Sequence, residues 1–226
     1  MKPWVFCWAA GLVQGCAVPV TLDFPVGPLE YEVSTDDLVV PAELADGNGS
    51  IATIPCNGSV CPVEGSQSSL VIGCLEGACD PEPYSFALDL PVVDLAAYGD
   101  LQSLGARISE AEVQGVQYRV SQNTLNVELP EVTLFWGPQT AASLDDATVL
   151  RLGVIPRLPA GAAPSGRVEL DSEGQRALAD YFVRTSTVFR VFAETTVDVG
   201  PGAPIPQGAA QLMATIDVHL AGSGEL

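Results

Sequence analysis

The sequence is poor in basic residues, and this scarcity excludes two kinds of partner. Its 226 residues include nine lysines and arginines against 28 acidic residues, and the net charge is -19. Lys2 is the only lysine, and the arginines occur singly from Arg107 to Arg190. A chain with this charge and no basic cluster repels a phosphate backbone, which excludes nucleic acid as a partner. The charge also opposes contact with anionic lipid, so membrane attachment requires some other means.

The sequence also has little of what enzymes use. His219 is the only histidine, and the alternation of LMATIDVHL predicts that it lies on the solvent face of a strand. Nucleophile-elbow, phosphate-loop, dinucleotide and His-Glu-x-x-His motifs are all missing from the sequence. Carboxylate pairs such as Asp36-Asp37 fit solvated turns better than acid–base sites. A triad whose members lie far apart in sequence stays open. We therefore expect a protein that is not an enzyme and has no cofactor.

The N-terminal apolar run is too short to cross a bilayer. It extends from Trp4 to Val13, and about ten helical residues rise about 15 Å, half the thickness of the hydrocarbon core. A short run of this kind after a basic residue is typical of a secretory signal. The next four residues are Val13-Gln14-Gly15-Cys16. They resemble the lipobox of bacterial lipoproteins, with an aliphatic residue, two mostly small positions and a cysteine.

The lipobox resemblance implies a signal peptide over residues 1–15 and a mature chain that begins at an acylated Cys16. Each buried methylene contributes about 0.8 kcal/mol, so two or three acyl chains hold a protein on a membrane without lysines. Ala17 follows the cysteine; by the sorting rule of enteric bacteria, the absence of aspartate there favours the outer membrane. An ordinary secretory signal is the alternative.

The remaining cysteines lie in two short segments, CNGSVC (56–61) and CLEGAC (74–79). An even number in an exported chain predicts two disulfides among Cys56, Cys61, Cys74 and Cys79. A local pairing would close two short loops, and a nested pairing would fit a hairpin. Loop entropy of about 2 to 3.5 kcal/mol per bond does not choose between them. A zinc site with four thiolates is the rival interpretation, which an oxidising compartment disfavours.

Alternating apolar residues predict a mainly β fold. Val18 to Val26 and then Leu29 to Val33 alternate as a strand whose prolines suggest a sheet edge. Further alternating runs follow from Tyr84, including residues 125–129 and 132–136, and one stretch, 171–184, has helical spacing with a Ser172-x-x-Gln175 capping box. We expect an antiparallel, immunoglobulin- or fibronectin III-like β-sandwich over residues 84–226 with one short helix. Residues 16–83 are expected to form N-terminal strands and a disulfide-stapled loop section.

The order of the C-terminal segments resembles a known domain. NTLNVEL, then IPRLPAGAAPSGRVELDSEGQRALADYF, then FRVFAETTVDVGPGAPIPQGAA and a last strand follow one another within residues 105–222. This order resembles the water-stress and hypersensitive-response domain of the LEA-14 type, with Thr124 where the family usually has the proline of Asn-Pro. The resemblance implies a seven-stranded sandwich with a single helix. It implies no catalytic residues, and a role in binding or protecting surfaces or as an accessory module of exported proteins.

Two further segments are candidates for ligand contact. In ADGNGS, Asp46, Asn48 and Ser50 alternate as in half of a calcium loop, but the glycine and glutamate that complete such a loop are missing, so a glycine-rich hairpin is favoured and no metal is expected. Trp136 follows Phe135 at the end of a predicted strand. A tryptophan here is either a core residue or an exposed ring that contacts a glycan, peptide or partner.

Together these features predict an exported, lipid-anchored cell-envelope protein, expected in the outer membrane, that acts as a non-catalytic binding or structural module. Its partners would be the membrane, through the acyl chains of Cys16, and an envelope protein or glycan. Two alternatives stay open. One is a periplasmic or surface enzyme with an unrecognised acidic site, and the other is a lipid carrier with an apolar cavity between helix and sheet.

Overall fold

The computed structural model describes residues 18–63, 69–104 and 108–224. The predicted signal peptide and Cys16 therefore lie outside the described residues. The strands and the helix are β1 (Val18–Ser34), β2 (Ile72–Leu75), β3 (Ala78–Pro81), β4 (Tyr84–Asp94), β5 (Ile108–Asn123), β6 (Val132–Pro138), β7 (Leu150–Ile155), β8 (Ser165–Arg167), β9 (Glu169–Leu170), α1 (Ser172–Arg184), β10 (Val188–Val197) and β11 (Ala209–Gly224). Short 3-10 turns occur at Ala42–Leu44, Leu95–Ala97 and Leu101–Leu104.

Two antiparallel sheets enclose one hydrophobic core, which confirms the predicted sandwich. One sheet has the order β1-β11-β5-β8, and the other has the order β4-β10-β6-β7-β9. Inward residues of both sheets, such as Val116, Ile216, Leu134 and Val191, are at most 1% exposed and belong to one cluster. Alternation of inward apolar and outward polar residues leaves the other face of the four-stranded sheet for solvent.

β1 is the edge strand of the four-stranded sheet, as its prolines predict. A register shift at Gly27 and Pro28 separates its two alternating halves. After the shift, odd-numbered rather than even-numbered residues of β1 face the core, so both Val26 and Leu29 are buried. Gly27 has a φ of 131°, and a Cβ atom there would lie 2.7 Å from the carbonyl oxygen of Ala214, so only glycine fits this bulge. Pairing with β11 assigns β1 to the sandwich rather than to a separate N-terminal section.

The helix lies between the two sheets, where it packs against β5 and β7. Its predicted position is confirmed, but its N-cap is Asp171, whose carboxylate accepts hydrogen bonds from the backbone N–H groups of Glu173 and Gly174. Leu178 and Phe182 of α1 are buried, and the Phe182 ring lies 5.3 Å from that of Phe189. Side chains therefore fill the space in which the lipid-carrier alternative requires a cavity.

The described residues 35–63 and 69–83 form the disulfide section, which has its own small core around Leu44, Ile51 and Cys79. Its cysteines form two disulfides in the crossed pairing, Cys56–Cys74 and Cys61–Cys79. The four predicted cysteines are thus all disulfide-bonded, and the pairing, which the sequence left open, is neither the local nor the nested one. Cys74 and Cys79 face each other in the β2–β3 ladder, yet each bonds to the preceding loop. Both bonds thus tie the loop of residues 56–61 to this hairpin.

Two segments differ from the predicted strands. Leu125, Val127 and Leu129 are buried as the alternation predicts, but they form only one isolated bridge, between Leu129 and Leu158. The predicted strand GRVEL divides at Val168, since β8 pairs with β5 and β9 pairs with β7. The chain therefore crosses from one sheet to the other at this residue.

Candidate binding site

The aromatic pair predicted as a ligand contact does not form an exposed platform. Trp136 is 4% exposed, its ring lies 5.4 Å from that of Tyr181, and its indole N–H donates a 3.0 Å hydrogen bond to the carbonyl oxygen of Gly174. Trp136 is therefore a core residue that joins β6 to α1. Phe135 is half-buried on the opposite face of β6, in register with buried Phe192. Neither ring carries the argument for a binding site.

The Asp46 turn satisfies its carboxylate internally. Oδ1 of Asp46 accepts hydrogen bonds from the backbone N–H groups of Asn48 at 2.7 Å and Ser50 at 3.0 Å. These bonds lower the pKa of Asp46 below its ordinary value, the bond from Ser50 most strongly. No group of three or more histidine, cysteine or acidic residues within the described ranges has the geometry of a metal site. The geometry is that of the glycine-rich hairpin.

The outer face of the four-stranded sheet carries a polar concavity of about 360 Å³. Its polar lining comes from three strands and the short edge strand: Asp23 of β1, Asp217 of β11, Gln114 and Gln117 of β5, and Arg167 of β8. These residues lie on the solvent side because their inward neighbours, such as Val116 and Val218, are buried in the core. The concavity is thus built on strands rather than on loops, beside a bulge at which Gln114 of β5 has no partner in β11.

Hydrogen bonds already orient the side chains around this concavity. The amide nitrogen of Gln117 donates to Oδ2 of Asp217 at 3.0 Å, and that of Gln114 donates to Oδ1 of Asp23 at 3.3 Å. Nδ1 of His219 lies 2.7 Å from the same oxygen of Asp23. Each carboxylate is therefore held by a neighbouring strand while retaining acceptor positions for a ligand.

His219 lies where the sequence predicts, on the outward face, although its side chain is only 23% exposed. Its strand position is in register with Asp23 of β1 and with Glu112 of β5. An imidazole oriented by a carboxylate is half of a nucleophile-activating arrangement. The described residues that line the adjoining concavity include no serine, threonine or cysteine to complete it. The arrangement suits hydrogen bonding better than nucleophilic catalysis.

Sequence reasoning missed this site, although it identified the exposed strand faces. The two members of the Asp23–His219 pair are separated by 196 positions in the chain. Alternation assigns each side chain to an outward face, but the register of the first and last strands decides which side chains meet. No local motif contains that register.

Asn123, the residue of the LEA-14 resemblance, has a structural role. Its side-chain amide donates to the carbonyl oxygens of Pro159 at 3.1 Å and Ala162 at 2.9 Å. Its side-chain oxygen accepts from the backbone N–H of Leu125 at 3.0 Å. Asn123 thus fixes the loop before β8 to the end of β5.

Within the described ranges, no helix has both the length and the apolar character required to cross a membrane. Comparison with family models and with curated protein sequences gives no match. Among solved structures, a chain titled Desmodium yellow mottle tymovirus aligns with 99% of this chain and 89% of its own length. The sequence identity is 12% and the TM-score is 0.28, a value too low to support any argument about fold or function.

Proposed function

We propose that the protein is an exported, lipid-anchored protein of the cell envelope that acts as a non-catalytic binding or structural module. The observation that carries the proposal is the sequence Val13-Gln14-Gly15-Cys16, followed after one residue by the edge strand β1. Because β1 begins at Val18, acyl chains on Cys16 would be attached almost directly to an edge strand. Such an anchor would hold the sandwich close to the bilayer, because one residue separates Cys16 from β1.

The direction of β1 gives this anchored molecule a near end and a far end. The strand has 17 residues, and at about 3.3 Å per residue it extends about 55 Å. Its first residue pairs with Gly224 of β11 at the near end, and Ser34 leads into the disulfide section at the far end. The disulfide section would therefore project from the membrane, and the outer face of the four-stranded sheet would stand along the side of the molecule.

Binding is supported by the concavity on that face, where preoriented carboxylate and amide groups are open to solvent. Two carboxylates distant in sequence, Asp23 and Asp217, line it, which is also the feature that the enzymatic alternative requires. We favour binding because hydrogen bonds from amides hold both carboxylates as acceptors. The packed interface between α1 and the sheets supports a binding module over a lipid carrier.

The anchor is tested by detergent phase partitioning of the full-length chain expressed in a Gram-negative host. We expect wild-type protein in the detergent phase and Cys16→Ala in the aqueous phase or uncleaved in the membrane. Cys7→Ala is the matched control, because Cys7 lies in the segment that cleavage removes, and it should behave as wild type.

Intact mass spectrometry of the purified protein gives the second readout. The expected mass is that of a chain beginning at Cys16 plus fatty acyl groups. A Cys16→Ala protein with the processing and partitioning of wild type would refute the anchor.

A further inference from the structure

We propose that the concavity bounded by Asp23, Gln114, Gln117, Arg167 and Asp217 binds a neutral oligosaccharide. This inference rests on the proposed function, since it names the ligand class of that binding module. It assigns recognition to hydroxyl groups rather than to an ionic group or an apolar chain. The site differs from the Trp136–Phe135 pair that the sequence suggested.

The mixture of donors and acceptors carries the choice of ligand. Carboxylate oxygens of Asp23 and Asp217 only accept, the Arg167 guanidinium only donates, and the amides of Gln114 and Gln117 do both. A sugar hydroxyl is at once a donor and an acceptor, so neighbouring hydroxyls can use this alternating set. The 3.0 Å bond from Gln117 to Asp217 fixes both side chains before a ligand arrives, which lowers the entropy cost of binding.

Charge disfavours anionic ligands. Two carboxylates in one concavity, on a chain of net charge -19, repel phosphate, sulfate and uronate groups. A metal ion is disfavoured because the described residues include no cluster of three or more acidic, histidine or cysteine side chains that could hold one. A neutral ligand with many hydroxyl groups meets neither objection.

The shape and the apolar part of the lining also fit a sugar. The volume of about 360 Å³ lies within the range of about 300–1,000 Å³ that is typical of small-molecule sites. Exposed Pro25, which pairs with Asp217, contributes apolar surface beside the polar groups. Sugar rings have apolar C–H faces between their hydroxyl groups, so one ring can contact both kinds of lining.

Saturation-transfer NMR with the full-length protein tests the proposal. The protein is held in an amine-oxide detergent, since a maltoside detergent would compete. The probes are cellotetraose, chitotetraose, maltotetraose and mannotetraose, with tetragalacturonate as the anionic comparison. We expect transfer to at least one neutral tetrasaccharide and a weaker signal from tetragalacturonate.

Substitutions then locate the site. Loss of one or two hydrogen bonds predicts that Gln117→Ala and Asp217→Asn each weaken binding about fivefold to tenfold. Gln122→Ala is the matched control, because Gln122 is an exposed residue of β5 outside the concavity. This variant should bind the tetrasaccharide with the affinity of wild type. Thermal melting checks that each variant is folded. If one of the two variants does not fold, Arg167→Ala is used in its place, because Arg167 also lines the concavity.

Three results would overturn the inference: transfer to none of the four neutral probes, stronger binding of tetragalacturonate, or equal weakening by Gln122→Ala. Cleavage of a bound probe that Asp217→Asn abolishes would overturn the non-catalytic assignment instead. The partitioning experiment does not depend on this site. Sugar binding by a protein whose Cys16→Ala variant is both processed and partitioned like wild type would refute the anchor and keep the site.

Discussion

Tyr31 offers a test of the core, because removal of its hydroxyl group should stabilise the protein. The side chain is 7% exposed, and among the described residues its buried hydroxyl has no hydrogen-bond partner. An unsatisfied buried hydroxyl costs about 1–3 kcal/mol. Tyr31→Phe removes this cost while keeping the ring, so we expect the free energy of unfolding at pH 7 to rise by about 1–2 kcal/mol.

The matched control is Tyr181→Phe, the same chemical change with the opposite expectation. The Tyr181 hydroxyl donates a 2.8 Å hydrogen bond to the carbonyl oxygen of Val188. Removing it leaves that bond unmade, so the free energy of unfolding should fall by about 1 kcal/mol. Urea unfolding with disulfides intact measures both variants, and the fluorescence of Trp136 reports the transition. A Tyr31→Phe protein less stable than wild type by 1 kcal/mol or more would refute the reasoning.

Alkaline pH gives the same residue a second readout. Burial raises the pKa of Tyr31 above its ordinary value. Below pH 10 the phenol is protonated in both states, so it contributes no pH dependence. Above about pH 10 the unfolded chain releases this proton and the folded chain keeps it, so stability falls by about 1.4 kcal/mol per pH unit. Tyr31→Phe should lack this loss. An advantage over wild type that does not grow between pH 10 and 11.5 would contradict the burial argument.

Three further predictions concern packing, a turn and the disulfides. A Cβ atom at Gly174 would overlap the carbonyl oxygen of Arg151. Gly174→Ala should therefore lower the free energy of unfolding, measured by urea titration, by more than about 2 kcal/mol, although helix propensity alone favours alanine by about 1 kcal/mol. In carbon-detected NMR titration, the Asp46 carboxyl should titrate below its ordinary pKa of 3.8. The contribution of Asp46 to stability is present above that ordinary value and lost as pH falls through the lower folded pKa. Cleavage after glutamates, combined with hydroxylamine cleavage between Asn57 and Gly58, places each of the four cysteines in a separate peptide. Without reduction, the peptide 65–76, which contains Cys74, should remain linked to the peptide that ends at Asn57, which contains Cys56.

Much of the fold is predictable because burial imposes a period on the sequence. The alternation that predicts strands from Tyr84 onward, and the helical spacing of residues 171–184, both match the elements found. Periodicity predicts which side chains are buried more reliably than it predicts which segments pair as β-strands. Leu125, Val127 and Leu129 are buried, yet the backbone near them bonds to other segments, for example from Asn126 to Gln207 and from Leu129 to Leu158.

The disulfide pairing and the binding site could not be predicted, for one common reason. Both depend on distances between segments that no local pattern records. Loop entropy differs too little between pairings to select one, and the hairpin of β2 and β3 alone would favour joining Cys74 to Cys79. Likewise, Asp23 meets His219 only because the last strand returns beside the first.

The prolines of β1 would matter for a protein that is anchored as we propose. β1 is the edge of its sheet, and its Pro19, Pro25 and Pro28 lack the N–H group that an added strand would need. Proteins anchored in one membrane are concentrated in two dimensions, which favours edge-to-edge pairing between copies. Prolines along the strand that follows the proposed anchor would oppose that pairing. The same strand can therefore begin two residues after the proposed acyl anchor and contribute Asp23 to the proposed binding face.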